Sequence, residues 1–221
     1  MQHLETGGIA PFHTFDPIQG DSASELADLW ASIREGGDDL LSNFSKSKPE
    51  IATNLESQGV IVSTGRSSIK WDDATILFIA LRETADDGGP AEALDRGISM
   101  ERLGRFPTED GNAIAYLREY LIPESDGDTG CTLLTQLDSG FRHETRGHDN
   151  LSLGFAGLKL HGWLAKSDVS NLRTYLQKSA WKVASDEPLD GGIREIVRHL
   201  VIILKTAEKR GVGILMRAHG D

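Results

Sequence analysis

The stretch IREIVRHLVIILKTAEKRGVGILM, residues 193–216, decides the fold class of this chain. Its apolar side chains first recur at helical spacing, which predicts a long helix with one wide buried face. Gly211 follows the last apolar turn, where glycine commonly ends a helix, and the run from Val212 to Met216 has the composition of a buried strand. The C-terminal part of the chain therefore predicts a helix followed by a strand.

Upstream of this unit, shorter patterns of the same kind predict further helices and a few strands. One helix is expected to begin near Ser22, one at Pro49, and one, capped by Asp72, over the apolar run that follows it. The β-branched run from Val60 to Val62 predicts a strand. Together these elements predict an α/β or α+β fold in which several helices pack on a small mixed sheet.

The length of 221 residues is within the range of one large domain. Residues 1–20 contain several glycines and prolines and show neither helical nor alternating apolar spacing, which predicts an irregular N-terminal arm. Residues 21–221 are then expected to form a single globular domain. The sequence has no repeat at a fixed period, so solenoid and propeller folds are not expected.

The charge of the chain restricts the partners that it can attract. Its 23 Lys and Arg residues against 34 Asp and Glu residues give a formal net charge of −11. Such a charge repels polyanions, and the sequence lacks the basic stripe with which nucleic-acid-binding proteins neutralise phosphates. DNA, RNA and anionic membranes are therefore not expected as partners. Long-range attraction favours a basic protein surface instead, although charge of this size also serves solubility alone.

Cys131 is the single cysteine of the chain, which excludes an internal disulfide and indicates a reducing compartment. The first twenty residues lack a basic start followed by an apolar run, and every apolar stretch is too short to span a bilayer. The sequence therefore predicts a cytoplasmic protein.

The most chemically suggestive segment is RHETRGHD, residues 142–149, because imidazole and carboxylate groups close together can bind a metal or exchange protons. The candidate metal ligands are His143, Glu144, His148 and Asp149. The two histidines are five residues apart, whereas a zinc-binding helix of the metallopeptidase type needs them four apart. The candidates would therefore have to converge from a polar loop.

A second acidic segment, DGDTG at residues 126–130, lies close to this loop in the sequence. It has the alternating oxygen ligands of a calcium loop, but Leu137 stands where such a loop needs a bidentate glutamate. A short strand or hairpin over the apolar stretch 131–137 could bring the two polar segments together, which gives the hypothesis of a metal-assisted hydrolase. The opposing interpretation of both segments is a solvated surface loop.

Other signatures of catalysis are missing from the sequence. No glycine pair is followed by the residues of a phosphate-binding or dinucleotide-binding loop, and no serine has the flanking glycines of a nucleophile elbow. Cys131 lies in an apolar stretch and is expected to be a core residue. No cofactor is therefore expected.

These observations favour a non-enzymatic, acidic protein-binding module, and small bacterial immunity-type proteins and inhibitors of a basic partner are the class with these properties. Trp181 is the candidate interface anchor, because it precedes the loop 185–192, in which Asp186 and Glu187 would supply acidic contacts. The hypothesis predicts one face that combines several acidic side chains with exposed aromatic or aliphatic residues. It leaves open the partner's identity and the oligomeric state, and the metal-assisted hydrolase remains the alternative.

Overall fold

A computed structural model describes residues 11–19, 21–62, 65–95, 103, 111–125, 127–178 and 181–220. The helices in this part of the chain are α1 (Ser22–Arg34), α2 (Leu40–Ser47), α3 (Pro49–Ser57), α4 (Asp73–Leu81), α5 (Ala113–Tyr120), α6 (Thr129–Ser139), α7 (His143–Arg146), α8 (Lys166–Lys178) and α9 (Gly192–Arg210). The strands are β1 (Phe12–Ile18), β2 (Leu121–Pro123), β3 (Lys159–Leu164), β4 (Trp181–Val183) and β5 (Gly213–His219).

A three-stranded sheet forms the centre of the molecule. Its order is β1-β5-β3, and both of its pairings are antiparallel. A smaller sheet pairs β2 with β4, again antiparallel. The prediction of a single domain of mixed helices and strands, with a C-terminal helix followed by a strand, is confirmed, and the antiparallel pairings give it the α+β form.

Helices cover both faces of the three-stranded sheet, and each layer has its own apolar core. On one face α5, α6, α8 and α9 pack on the sheet around Ile214 and Met216 of β5. On the opposite face α1 to α4 pack around Leu215 of β5 and Trp163 of β3. Successive residues of the central strand therefore belong to opposite cores, as the two-residue period of a strand requires.

Part of the segment expected to be an irregular arm is strand β1. Its side chains alternate, since His13 and Phe15 are buried whereas Thr14 and Asp16 are partly exposed. The sequence conceals this alternation, because the buried position 13 is polar and Phe12, on the other face, is apolar. Residues 1–10 and 20, the rest of the expected arm, lie outside the described residues.

Two other strand predictions are wrong. The run 60–62 lies in irregular structure after α3, with its valines buried and Ile61 exposed between them. The apolar stretch 131–137 belongs to helix α6, because the Asp128 carboxylate accepts a hydrogen bond from the Gly130 amide at 2.7 Å and caps the helix. The hairpin that would have joined the two polar segments of the hydrolase hypothesis is therefore not formed.

None of the described helices is both long enough and apolar enough to cross a bilayer. The longest of them, α9, buries one stripe in the core and keeps charged residues on its exposed face. Of the two helices that the sequence predicts between residues 91 and 121, the second is α5, and the first falls mainly on positions outside the described part of the chain.

Candidate functional site: a cavity at the end of the sheet

A cavity of about 460 Å³ opens at the end of the three-stranded sheet where β1 and β3 begin and β5 ends. The start of α7 and the segment that leads into β3 contribute its other walls. The charged and imidazole side chains that line it are Arg142, His143, Glu144, Asp149, Lys159, His161 and His219.

A buried group of polar side chains adjoins this cavity, and we name it the histidine cluster: His13, Asp138, Arg142 and His161. The two histidines are each 5% exposed and Asp138 is 3% exposed. The Nε2 atoms of the histidines are 3.2 Å apart, and their rings meet edge to face with centroids 4.6 Å apart. Ionisable groups buried together beside a cavity are typical of functional sites.

A bulge in β3 brings the two histidines together. Strand β5 lies between β1 and β3, and Ala218, the residue of β5 opposite His13, has a small side chain that leaves room above the strand. The pairing of β3 with β5 shifts register between Leu160 and Gly162, so that His161 is an extra residue in β3. Because a bulge re-aims its side chain, His161 reaches across the sheet toward His13.

Gly162 sets the distance between the sheet and helix α6. A Cβ atom at this position would lie 1.8 Å from the carbonyl oxygen of Gln136, far inside contact distance. Since glycine has no side chain, the last turn of α6 can lie directly on β3. The main-chain carbonyl of Asp138 is thereby placed 3.0 Å from Nδ1 of His161.

The Asp138 carboxylate is surrounded by groups from separate elements. Asn112, which caps α5 through its side-chain oxygen, donates from Nδ2 to Oδ1 of Asp138 at 2.5 Å, and Arg118 forms an ion pair with Oδ2. Burial alone would raise the pKa of this carboxyl, but hydrogen bonds from His161 and Asn112, followed by the two nearby arginines, hold it at about 2. Asp138 therefore carries a negative charge in neutral solution.

The His161 ring contacts the three other residues of the cluster. Its Nδ1 atom lies 3.0 Å from the Asp138 carbonyl oxygen, and its Nε2 atom lies 3.2 Å from Nε2 of His13. Nη2 of Arg142 lies 2.9 Å from Nδ1 and 3.4 Å from Nε2 of the same ring. The guanidinium is thus held against the imidazole at the wall of the cavity.

His13 is neutral at physiological pH. Burial is the main cause and the electrostatic effect of His161 the second, and together they lower the pKa of His13 to about 3. A neutral ring can pair with His161 without adding positive charge beside Arg142. The permanent positive charge of the cavity lining therefore comes from Arg142 and Lys159.

The lining divides into an inner wall of nitrogen donors and a rim of carboxylates. Arg142, Lys159 and His219 are partly buried and form the inner wall, to which the start of α7, β3 and β5 each contribute one residue. Glu144 and Asp149 form the rim, where both are exposed and neither makes an ion pair with a described residue. The less accessible part of the cavity is therefore suited to negative charge.

His219 is fixed in orientation on one side of the inner wall. Its ring stacks on Phe12 with centroids 4.7 Å apart, and its Nε2 atom lies 2.8 Å from the Thr14 hydroxyl. Burial, followed by the charge of Arg217, lowers the pKa of His219. The ring is therefore neutral at pH 7 and presents a polar edge rather than a charge.

Three of the four residues predicted as metal ligands line this cavity, namely His143, Glu144 and Asp149. His148 does not line it, and burial, followed by the charge of Arg34, lowers the pKa of that histidine. Within the described chain, no three His, Cys, Asp or Glu side chains form a group that could hold a metal ion. The polar segment does lie at a cavity, but its four side chains are not gathered into a ligand set.

The residues predicted to bind a protein partner lie in strand β4 of the smaller sheet and in the loop that follows it. Trp181 is partly buried, packs against the core of the α9 layer and donates from Nε1 to the Leu176 carbonyl at 3.3 Å. The Glu187 carboxylate accepts a hydrogen bond from the Ile193 amide at 2.6 Å, at the start of α9. Asp186 is exposed. Trp181 and Glu187 thus stabilise the fold, and their part in binding stays a prediction.

None of His13, Asp138 and His161 was predicted as a site residue from the sequence. These side chains come from three elements, and His13 and His161 are separated by 148 residues in the chain. The signal that could have found Asp138 and His161 is a polar residue at an inward position of an otherwise apolar element. Such a residue requires buried hydrogen-bond partners, which must come from elsewhere in the chain.

Comparison with protein-family models, with curated proteins and with solved structures gave no match. The geometry of the cavity is therefore the basis for a functional assignment. Its inner wall can accept an anionic group, and its rim can contact the more exposed part of the same ligand.

Proposed function

We propose that the protein binds a small molecule through an oxyanion, a carboxylate or a phosphate, in the cavity at the end of the sheet. The observation that carries this proposal is the division of the lining, with Arg142, Lys159 and His219 less exposed than Glu144 and Asp149. An oxyanion at the inner wall would form charge-assisted hydrogen bonds, which are stronger than neutral ones.

The inner wall is ordered before a ligand arrives. Nη2 of Arg142 lies 2.9 Å from Nδ1 of the buried His161 ring, and the same Nδ1 lies 3.0 Å from the Asp138 carbonyl oxygen. A guanidinium that is already oriented loses little conformational freedom on binding, so more of the interaction free energy appears as affinity. The histidine cluster supports the site in this way without contacting the ligand through His13.

The net charge of −11 opposes an anionic ligand at long range. Physiological salt screens that repulsion beyond about 8 Å, whereas the hydrogen bonds at the inner wall act at contact distance. Two such bonds contribute about 1.5–3 kcal/mol each. We therefore expect an isolated oxyanion to bind with a Kd of about 1 mM, and a complete ligand to bind more tightly.

The remaining features of the cavity favour binding over catalysis. Its volume of about 460 Å³ is in the range of pockets for small molecules. Ser152, the hydroxyl in the lining, donates its proton to the Asp149 carbonyl at 3.1 Å and is not paired with an imidazole base. A metal-assisted reaction would need a ligand set, which the described side chains do not form.

Calorimetric titration tests the proposal with inorganic phosphate, acetate and tetramethylammonium as probes. We expect phosphate and acetate to bind saturably with a Kd below about 10 mM, and tetramethylammonium to give no saturable heat. Tighter binding of the cation than of either anion, or no saturable binding of either anion, would contradict the proposal.

The Lys159→Gln variant tests whether phosphate binds at the inner wall. Lys159 forms no ion pair with a described residue, so its replacement leaves no buried charge without a partner. We expect phosphate to bind about tenfold more weakly, since one charge-assisted hydrogen bond is lost. Lys182→Gln, at an exposed position in the smaller sheet, is the matched control and should bind phosphate like the wild type.

A further inference from the structure

Three large apolar side chains are exposed on the two segments that meet at Asp72, and one of them, Leu153, also lines the cavity. Trp71 is 40% exposed, Leu153 56% and Phe155 64%, and they are three of the seven large apolar side chains exposed in the described part of the chain. We name these three residues the aromatic face. We propose that the aromatic face docks a basic protein partner, which presents an arginine next to aliphatic side chains.

The loop that carries Phe155 lies directly on the N-terminus of α4. The Phe155 amide donates to Oδ2 of Asp72 at 3.1 Å, and Trp71 immediately precedes Asp72 in the chain. A Cβ atom at Gly154 would lie 2.8 Å from Oδ1 of Asp72, so only glycine allows this close approach. The aromatic face is therefore assembled from two segments that are fixed to the same carboxylate.

The backbone of this loop is tightly closed. The Gly154 amide donates to the Leu158 carbonyl at 2.8 Å, and the Leu158 amide donates to the Phe155 carbonyl at 3.1 Å. Ala156 has φ 55° and ψ 31°, and it is the only residue other than glycine with positive φ in the described part. A residue stays in this conformation only where its surroundings enforce it. Phe155 is thus presented in a fixed orientation, which reduces the entropy lost when a partner binds.

An acidic depression of about 400 Å³ adjoins the aromatic face at Leu153. Its charged lining consists of Asp72, Asp73, Asp149 and Arg66. Arg66 donates from Nε to Oδ1 of Asp73 at 2.8 Å, so one carboxylate is already neutralised. Burial acts against ionisation of Asp72, but hydrogen bonds from Thr75 and from the Phe155 amide outweigh it and lower the pKa of Asp72. Two negative charges are therefore left for a partner.

Arginine is the residue that fits both parts of this surface. Its planar guanidinium can pair with carboxylates in the depression and stack on an aromatic ring, and its aliphatic stem can lie on Leu153. A second copy of the chain is disfavoured as the occupant, because two molecules with a net charge of −11 repel each other. The same charge attracts a basic protein and raises its rate of association.

The experiment begins with affinity capture from an extract of the native cells, using the tagged wild type and the Phe155→Ala variant side by side. A protein retained by the wild type and not by the variant is purified, and its Kd is measured at low and high salt. The matched control is Ile202→Ala, which removes an apolar side chain of similar exposure from α9. Circular dichroism melting verifies that each variant is folded.

We expect a basic partner whose Kd rises about tenfold or more in Phe155→Ala and rises with salt, with no change in Ile202→Ala. The Asp149→Lys variant, which reverses a charge in the depression, should weaken the complex further. Lys159→Gln should not affect it, because Lys159 lines only the oxyanion cavity, whereas Asp149 lines both the cavity and the depression. The proposal is overturned if no captured protein depends on Phe155, if the partner is acidic, or if light scattering shows a homodimer that Phe155→Ala dissociates.

Discussion

The histidine cluster and the aromatic face depart from the usual distribution of side chains in opposite directions. Three ionisable groups of the cluster, His13, Asp138 and His161, are only 3–5% exposed, whereas the two rings of the aromatic face are 40% and 64% exposed. A buried charge is stable only when hydrogen bonds or opposite charges surround it, and the partners of the cluster come from several helices and strands. An exposed ring has few partners within its own chain. Changes in the cluster should therefore cost stability, and changes in the aromatic face should cost only binding.

Asp138→Ala is expected to have the largest effect. The substitution removes the buried carboxylate that accepts hydrogen bonds from Asn112 and His161 and pairs with the exposed Arg118. Each hydrogen bond from a buried group to a charged group contributes about 1.5–3 kcal/mol to the free energy of unfolding, and Asp138 has two of them. Urea denaturation measures the loss, and Asp186→Ala, at an exposed position, is the control, with a change within about 0.5 kcal/mol. Equal stability of the two variants would contradict the expectation that changes in the histidine cluster destabilise the fold.

Gly162→Ala is expected to have the next largest effect. The added methyl group would meet the Gln136 carbonyl at 1.8 Å and force α6 away from β3, which costs about 1–3 kcal/mol. The ring signals of His161 in NMR spectra should shift as well, because the Asp138 carbonyl moves with the helix. Unchanged His161 signals in Gly162→Ala would show that α6 does not position the cluster.

The pH dependence of stability should reveal His13. Its pKa falls from 6.5 in the unfolded chain to about 3 in the folded protein, so the unfolded chain binds more protons between these values. The contribution is therefore fully present above pH 6.5 and is lost as the pH falls toward 3, by at most about 1.4 kcal/mol per pH unit. Asp138 adds to the loss only below its unfolded pKa of 3.8.

Urea denaturation between pH 7 and pH 4 measures this slope, with His13→Gln as the test variant. The slope should be smaller in His13→Gln than in the wild type. Asn43→Gln, at an exposed position, changes no ionisable group and is the control that should keep the wild-type slope. A slope in His13→Gln as steep as that of the wild type would mean that His13 is not the group that resists protonation.

Phe155→Ala is expected to have the smallest effect on folding. The side chain is 64% exposed, and its main-chain hydrogen bond to Asp72 does not depend on the ring. The free energy of unfolding should change by less than about 0.5 kcal/mol, which thermal melting can detect. A loss of more than about 2 kcal/mol would show that the ring stabilises the fold and is not reserved for a partner.

Local signals in the sequence predicted the elements whose structure depends on neighbours in the chain. Helix α4 begins where Asp72 was expected to cap it, and the Asp72 carboxylate accepts from the Thr75 amide at 2.8 Å. Helix α9 ends at Gly211, which adopts the left-handed conformation. Capping and amphipathic spacing act within a few residues, so the sequence alone is sufficient to locate them.

Elements that depend on distant partners were not predictable in the same way. Strand β1 places the polar side chain of His13 in the protein interior. Its burial is favourable only because His161, 148 residues away, is its hydrogen-bond partner. The polar segment 142–149 was predicted as a metal-binding or a solvated loop, and three of the predicted ligands line a cavity without forming a ligand set. The residues that complete the cavity wall, His161 and His219, belong to strands that pair only in the folded protein. The spacing of these residues along the chain does not indicate that their side chains come together in the folded protein.

The binding of an oxyanion at the inner wall is the central claim, and a phosphate titration followed by the histidine ring signals in NMR spectra tests it most directly. We predict saturable shifts of the His219 and His161 rings, none of the His199 ring on α9, and about tenfold more phosphate for the same shifts in Lys159→Gln. Equal shifts of His199 and His219, or the same titration curve in Lys159→Gln and the wild type, would contradict the assignment of the cavity as the binding site.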